Sequence, residues 1–289
     1  MEHMVPTSPS PEGGGGPETW RLLMRARISG QESGVPWNVV GKLGMRDFCR
    51  MVGLPAVPLL GAFASVEAIP WHEFPDRFVV KSSASSSSKQ VALLCSIGSS
   101  SWRDLTRHRD FDRDSLTNLI RGWLAGPPSP RRALLVERYV NDELASGPIP
   151  RDYKFYCFQG QIALILVIDR NSSPPRVAWF DDHFEPLTES AVRTNTKFAA
   201  PAELSLPGEA QVLCDLARRA SICLPTPFVS VDLFLSSSLG PRVGELTLTP
   251  GGIYYGQHYE LSDHFDKEMG RMWIEARARL QLDSGGLVA

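Results

Sequence analysis

Two acids toward the C-terminal end of the chain are of the type and spacing that hold a cation. Asp232 lies in Phe-Val-Ser-Val-Asp-Leu-Phe, and Glu245, thirteen residues on, opens Glu-Leu-Thr-Leu-Thr-Pro-Gly-Gly. Phe228–Leu235 is rich in β-branched and aromatic residues and Arg242–Leu248 alternates, so each reads as a strand. Ser-Ser-Ser-Leu-Gly-Pro between them is a loop signal. A hairpin joining the strands would set the carboxylates side by side. Acids held together repel unless a cation lies between them, and Mg²⁺ takes carboxylate oxygens together with substrate phosphates. The pair points to a nucleotide-phosphate site.

Basic and small residues upstream fit the same chemistry. Lys81 ends Phe-Val-Val-Lys and is followed by Ser82-Ser-Ala-Ser-Ser-Ser-Ser-Lys89. A lone strand-end lysine ordinarily lays its stem on the sheet and its charge in water. Small residues between two strands, Ser83, Ser85 and Ser86 among them, also let backbone N–H groups and hydroxyls approach a phosphate. The competing reading is a low-complexity linker; the patterned strands on either side favour the phosphate loop. Val136-Glu137-Arg138-Tyr139-Val140 ends an apolar strand and Asn141-Asp142-Glu143 follows. The backbone of such a strand end can pair with adenine and an acid beyond it can hold ribose hydroxyls, although acids after strands are usually solvated turn residues. Asp152-Tyr153-Lys154-Phe155 begins another strand with Arg151 beside it. This is either a surface ion pair of little worth or a lysine aimed at a phosphate or a developing acyl-phosphate charge.

The elements that must position these residues follow from local pattern. Met1 to about Pro17, with Pro-Thr-Ser-Pro-Ser-Pro-Glu and four consecutive glycines, reads as a disordered tail. Trp20–Ile28 and Gly41–Val52 have helical spacing; in the second, Leu43, Phe48 and Met51 fall on one face, and Pro55 and Pro58 close it. Strands are expected at Arg77–Ser82, Gln90–Ile97 and Ala133–Val140, and an antiparallel run at Asp152–Phe158, Gln161–Asp169 and Arg176–Phe180 with Gln159-Gly160 as a turn. Helices are expected at Arg103–Leu124, Pro207–Ser221 and Leu261–Leu282. Strands and helices interleave without a regular βαβ period, which favours α+β over a doubly wound sheet. The division expected is a short helical lobe over 18–75, a small subdomain over 76–140 and a large one over 141–289.

Composition narrows the function classes. At 289 residues the chain can bury a sizeable core, and 43% hydrophobic with 21% charged residues is ordinary globular usage. A formal charge of -2 offers no basic field for nucleic acid and no polybasic membrane anchor. Five dispersed cysteines without C-x-x-C read as reduced thiols, and no run of 18 apolar residues or signal-peptide core is present, so the cytoplasm is the expected location. The histidines His72, His108, His183 and His264 lack metal-ligand spacing, and His258 follows the Pro250-Gly-Gly turn. G-x-S-x-G, G-x-x-x-x-G-K-[ST] and G-x-G-x-x-G are absent, against a serine hydrolase, a P-loop protein or a dinucleotide fold.

Taken in order, these pieces resemble an ATP-grasp enzyme, and within that fold the TupA-like group. The segments that carry the resemblance are Gly-Lys42-Leu-Gly-Met-Arg46, Phe-Val-Val-Lys81, Asp152-Tyr-Lys-Phe-Tyr-Cys-Phe-Gln-Gly and Val231-Asp-Leu-Phe with Gly-Glu245-Leu-Thr-Leu-Thr-Pro-Gly-Gly, over roughly residues 40–275. The resemblance implies two α+β lobes enclosing ATP and Mg²⁺. It implies Lys42 and Lys81 on the α- and β-phosphates, and Glu137, Tyr139 and Val140 as the adenine hinge with Glu143 as the ribose acid. It further implies Lys154 facing the γ-phosphate and the acceptor, and Asp232 and Glu245 as metal ligands. Thr247 stands where most ATP-grasp enzymes carry a metal-binding Asn, as it does in the TupA-like group. The loop after Lys81 has no glycine until Gly98, and the segment before Lys42 is short. Acceptor recognition then falls to other surfaces, a partner or a homodimer interface.

The leading expectation is a carboxylate–amine ligase that joins small-molecule substrates through an acyl-phosphate and releases ADP and phosphate, with Lys81 and Lys154 as the catalytic cations. A kinase acting on a hydroxyl would use the same nucleotide residues. A non-catalytic nucleotide-binding assembly protein is the third reading.

Overall fold

The computed structural model describes residues 18–83, 90–124, 132–208, 210–254 and 256–285. Strands β1 (Leu59–Phe63), β2 (Arg77–Ser82), β3 (Val91–Gly98), β4 (Ser101–Asp104), β5 (Arg109–Asp112) and β6 (Leu134–Arg138) form one six-stranded sheet in the order β1-β6-β2-β3-β4-β5. After them come β7 (Asp152–Phe158), β8 (Gln161–Asp169), β9 (Arg176–Phe180), β10 (Val192–Thr194), β11 (Ala200–Pro201), β12 (Val229–Ser236), β13 (Gly240–Thr247) and β14 (Tyr259–Leu261). The second six-stranded sheet has the order β11-β9-β8-β7-β12-β13, and β10 pairs with β14 as a ribbon. The helices are α1 (Trp20–Ile28), α2 (Lys42–Val52), α3 (Arg113–Arg121), α4 (Ala210–Cys223), α5 (Gly251–Tyr254) and α6 (Asp263–Gly285). The class is α+β.

The second sheet is buried on both faces, which explains why Gln161–Asp169 reads as an almost unbroken apolar run. Tyr153, Phe155, Cys157, Val231 and Leu233 face the core shared with α2 and α4. Tyr156, Phe158, Leu164, Leu166 and Trp179 face a second core under α1 and α6. A third core, with Phe78, Val80, Leu94, Trp102, Phe111 and Leu134, lies beneath the first sheet. No helix among the described residues is long and apolar enough to cross a membrane.

Several elements differ from the sequence expectation. Arg103–Leu124 is not one helix: a hairpin, β4–β5, precedes the shorter α3. Trp102 and Phe111 pair across the hairpin and enter the core, while Asp104 closes its turn by accepting from the amides of Thr106 at 2.9 Å and Arg107 at 3.3 Å. The charges around that turn mask a period of two. Within α2 the buried face is Met45, Phe48 and Cys49, and Met51 is 77% exposed. Leu59–Phe63, expected among helical residues, is a strand on the first sheet, and Leu261 closes β14 rather than opening α6. Residues 18–75 are shared between the two sheets: β1 joins the first, and α2 and α1 pack on the second.

One buried cation ties α1 to the strands that carry the acids. The Arg27 guanidinium is wholly buried and donates to the carbonyls of Phe228 at 2.9 Å and Leu248 at 3.1 Å, to Thr226 Oγ1 at 2.9 Å and to the Glu32 carboxylate at 2.6 Å. It lies 4.2 Å from the Trp273 ring of α6. Burial lowers its proton affinity and Glu32 opposes that effect. Removing one partner of a buried charge network leaves the rest desolvated without compensation. Arg27→Met should therefore lower the unfolding free energy by about 3 kcal/mol or more, read as a clear fall in thermal midpoint; an unchanged midpoint would show that the network contributes nothing net.

Candidate functional site

The strand register builds the site. Lys154 on β7 pairs with Asp232 on β12, and Asp232 pairs with Glu245 on β13. The row continues to Leu166 on β8 and Trp179 on β9. Residues directly opposed on antiparallel strands stand roughly 4.5–5.5 Å apart at Cα, so the two carboxylates and the ammonium share one patch. Ser230 and Thr247 form the neighbouring pair on the same face.

A β-bulge turns Glu245 toward this patch. The pairing steps from Asp232↔Glu245 to Leu233↔Val243, which leaves Gly244 as the extra residue. Leu233 and Val243 both enter the core on the opposite face. Residues two apart in a regular strand share a face, so without the bulge a buried Val243 would bury Glu245 as well. Glycine leaves room at the bulge for Phe234: a Cβ on Gly244 would lie 2.5 Å from its ring, which would have to move.

The patch is electrostatically strained. Burial raises the Asp232 carboxyl above its usual range, against the pull of Lys154. Glu245 is raised by burial and then by Asp232, with Lys154, Lys42 and Lys81 acting in the opposite direction. Lys154 forms a close ion pair with Asp232 Oδ2; burial disfavours its charge, but Asp232 and Asp152 outweigh that and hold it protonated. Ser230 Oγ donates to Asp232 Oδ1 at 2.9 Å. Beyond Lys154, Asp152 Oδ2 accepts from Arg170 Nη2 at 2.7 Å and Nε at 3.0 Å. Tyr259 of β14 packs edge-on against Trp179 within the field of Arg170, Lys154 and Asp152.

Lys81 of the first sheet and Lys42 of α2 act on the same patch. Lys81 Nζ lies 2.6 Å from Glu137 Oε2, and the Arg46 guanidinium closes on Glu137 Oε1. Burial lowers the proton affinity of Lys42, at the start of α2, and Lys81 lowers it further, while Glu245 and Glu137 raise it. Lys42, Lys81, Glu137 and Glu245 thus belong to one field that spans both sheets.

In the segment expected as the hinge, Tyr139 OH donates to the Pro148 carbonyl at 2.8 Å, the Arg77 guanidinium lies over its ring, and Val140 is buried. Asp142 turns inward, accepting from Leu144 N at 2.9 Å and from Arg151 N at 3.0 Å, whereas Glu143 is exposed. Glu137, expected as part of the adenine hinge, directs its carboxylate to Lys81 and Arg46 and leaves only backbone for a base. The Ser83 hydroxyl accepts from the Ala133 amide at 2.8 Å and so pins the start of β6. Ser85 and Ser86 lie outside the described residues, as does most of the serine loop.

Four residues of this neighbourhood were given no site role by sequence. Arg46 is four positions from Lys42 on a helix and so shares its face, a signal open to a spacing argument. Arg151 is not the surface partner of Asp152 that adjacency suggests: it is buried and bonded to Asp142, while Asp152 pairs with Arg170 at the far end of β8. Arg170 and Tyr259 reach the patch through pairing across long loops, which no local pattern encodes. Among the described residues, Asp181, Asp182 and His183 also cluster, in a turn where Asp181 accepts from the amides of His183 and Glu185.

No curated protein matches the chain. Among solved structures it is similar to the L-amino acid ligase of Bacillus licheniformis at 14% identity and TM-score 0.49, over 80% of this chain and 49% of that one. It is similar to the ATP-grasp ligase PsnB complexed with a minimal precursor at 13% identity and TM-score 0.46, over 88% and 68% of the two chains. It is similar to D-alanyl-alanine synthetase A of Vibrio cholerae O1 biovar eltor str. N16961 at 13% and 0.47, over 85% and 66%. The chain thus spans about half of the first of these ligases. The TupA-like ATP-grasp profile matches residues 50–274, starting just after Lys42 and Arg46 and taking in both acids, Lys81 and Lys154. With most of its length matched, the chain belongs to the TupA-like ATP-grasp family.

Proposed function

We propose that the chain is an ATP-dependent carboxylate–amine ligase, working through an acyl-phosphate and releasing ADP and phosphate. The observation that carries this reading is the cross-strand row Lys154–Asp232–Glu245, with Lys42 from the start of α2 and Lys81 from the other sheet in the same field. The donor set fits Mg²⁺: two hard carboxylates opposed in register, both raised by burial, with the Thr247 hydroxyl on the same face. Asp232 and Glu245 would hold the ion, with Thr247 as a third oxygen. Bound there, Mg²⁺ would neutralise phosphate charge as the γ-phosphoryl group moves.

The remaining work falls to the chain's own residues. Lys42 and Lys81 would bind the α- and β-phosphates, with Glu137 orienting Lys81. The backbone of Tyr139 and Val140 would meet the adenine and Glu143 the ribose. Lys154 would place its ammonium between the γ-phosphate and the acceptor, where negative charge gathers. Arg170, held by Asp152, adds a guanidinium on the same face to receive a substrate carboxylate. Attack of the carboxylate oxygen on the γ-phosphorus breaks its bond to ADP. The amine nitrogen then attacks the acyl carbon, phosphate leaves, and the amine loses a proton. No protein nucleophile is needed, in keeping with buried thiols at Cys49 and Cys214 that burial pushes up to about 11.

In an assay with ATP, Mg²⁺ and pooled amino acids and carboxylates, phosphate should appear only when a carboxylate and an amine are both present. Asp232→Asn should reduce that release by about a hundredfold or more. A stable phosphorylated product would instead mark a kinase, and full biological activity in the Asp232→Asn and Glu245→Gln proteins would leave only an assembly role.

A second test uses the raised Glu245. A carboxyl that titrates higher in the folded than in the unfolded chain makes the folded state bind more protons, so stability falls as pH rises through that window and the penalty persists at neutral pH. Glu245→Gln should therefore abolish turnover yet melt no lower than wild type in metal-free buffer at pH 7, the two curves converging at about pH 4. A lower melting point at pH 7 would contradict the assigned strain.

A further inference from the structure

The Glu137 carboxylate serves two cations from different parts of the molecule. It is buried, with Lys81 on one oxygen and Arg46 on the other. Lys81 belongs to β2, next to β6 in the first sheet. Arg46 belongs to α2, whose Met45, Phe48 and Cys49 sit in the core of the second sheet. That helix is firmly seated: a Cβ on Gly44 would come within 2.1 Å of the Asn38 carbonyl oxygen, so α2 lies directly on the preceding backbone. The other terminal nitrogen of Arg46 donates to the Val57 carbonyl at 2.8 Å. The Val57 amide in turn donates to the Val243 carbonyl at 3.2 Å, two residues before Glu245.

We propose that Arg46 is a positioning residue of the nucleotide site. Anchored on the second sheet, it holds Glu137, and through Glu137 it sets both the placement of Lys81 Nζ and the separation of the first sheet from the two acids. The role of Lys81 rests on the ligase reading; the anchoring does not. From one guanidinium, one path runs through Glu137 to the phosphate lysine, and another runs through Val57 and Val243 to the Glu245 strand. A planar guanidinium suits this place because its terminal nitrogens donate in different fixed directions, here to a carboxylate on one sheet and a carbonyl of the connecting segment. An ammonium has the charge without that fork. Water is a poor substitute, since Glu137 is buried and its carboxylate would be left half compensated.

The test compares wild type with Arg46→Met, Arg46→Lys, Glu137→Gln and the Arg46→Met/Glu137→Gln double variant, each well below its melting temperature. Hydrogen exchange of the nucleotide-free protein is the first readout. The Val57 amide and the Arg138 amide, which donates to the Pro58 carbonyl at 2.9 Å, should exchange faster in Arg46→Met while the β7–β8 amides keep their protection. Affinity for a fluorescent ATP analogue with Mg²⁺ is the second. Arg46→Met should weaken it by about tenfold or more, with a matching rise in KM for ATP, and Arg46→Lys should recover part of the loss. The double variant should bind no worse than the weaker single variant, because Arg46 acts through Glu137. Should Arg46→Met fail to fold, Arg46→Lys is expected to show the same faster exchange to a smaller degree. Unchanged exchange at Val57 and Arg138, or additive losses in the double variant, would overturn the proposal. If wild type binds no ATP analogue, the ligase reading fails, and the exchange experiment still decides the anchoring.

Discussion

The structure is organised by the cost of keeping two carboxylates together where water is scarce. Asp232 and Glu245 are opposed in register across β12 and β13, and burial raises both, with the charge of Asp152 adding to Asp232 and that of Asp232 to Glu245. Left alone, such a pair would take up a proton or pull apart. It persists because cations are supplied from three directions: Lys154 along the same row, Lys42 from a helix start, Lys81 from the other sheet. The two sheets are thus held in relation by charge as well as by chain connection. The acids themselves stay under strain, since burial raises both despite the cations around them.

Much of the second sheet was legible in sequence because its strands are long and buried on both faces. Asp152–Phe158, Gln161–Asp169 and Arg176–Phe180 fall where the apolar runs and the Gln159-Gly160 turn put them. The acid pair was legible because a hairpin is local: its loop signal and its two patterned arms lie within twenty-one residues. The hairpin did not disclose its bulge. Gly244 reads in sequence as one glycine among 24, and only the burial of Val243 beside Leu233 reveals that the strand changes face there.

What sequence could not show is what depends on distant pairing. Glu137 was read as part of a hinge because of its neighbours in the chain, yet its carboxylate answers to Arg46 and Lys81, 91 and 56 residues away. Asp152 and Arg151 stand side by side and face opposite ways, each to its own partner. The hairpin at 101–112 was hidden for a different reason. Its inward residues are only Trp102, Asp104 and Phe111, too few for alternation to stand out against a charged stretch.

The segment Pro55–Phe63 has one more consequence. Its first half is stitched to β13 through Val243, its second half pairs with β6, and the Pro58 carbonyl receives the Arg138 amide just before the chain passes on to the second sheet. The chain therefore crosses between the two sheets at two places fastened to each other. Two crossings set far apart would brace the sheets at two places; these two brace them at one. The two crossings form one seam between the sheets, running from Val243 of β13 through Val57 and Pro58 to Arg138 at the end of β6.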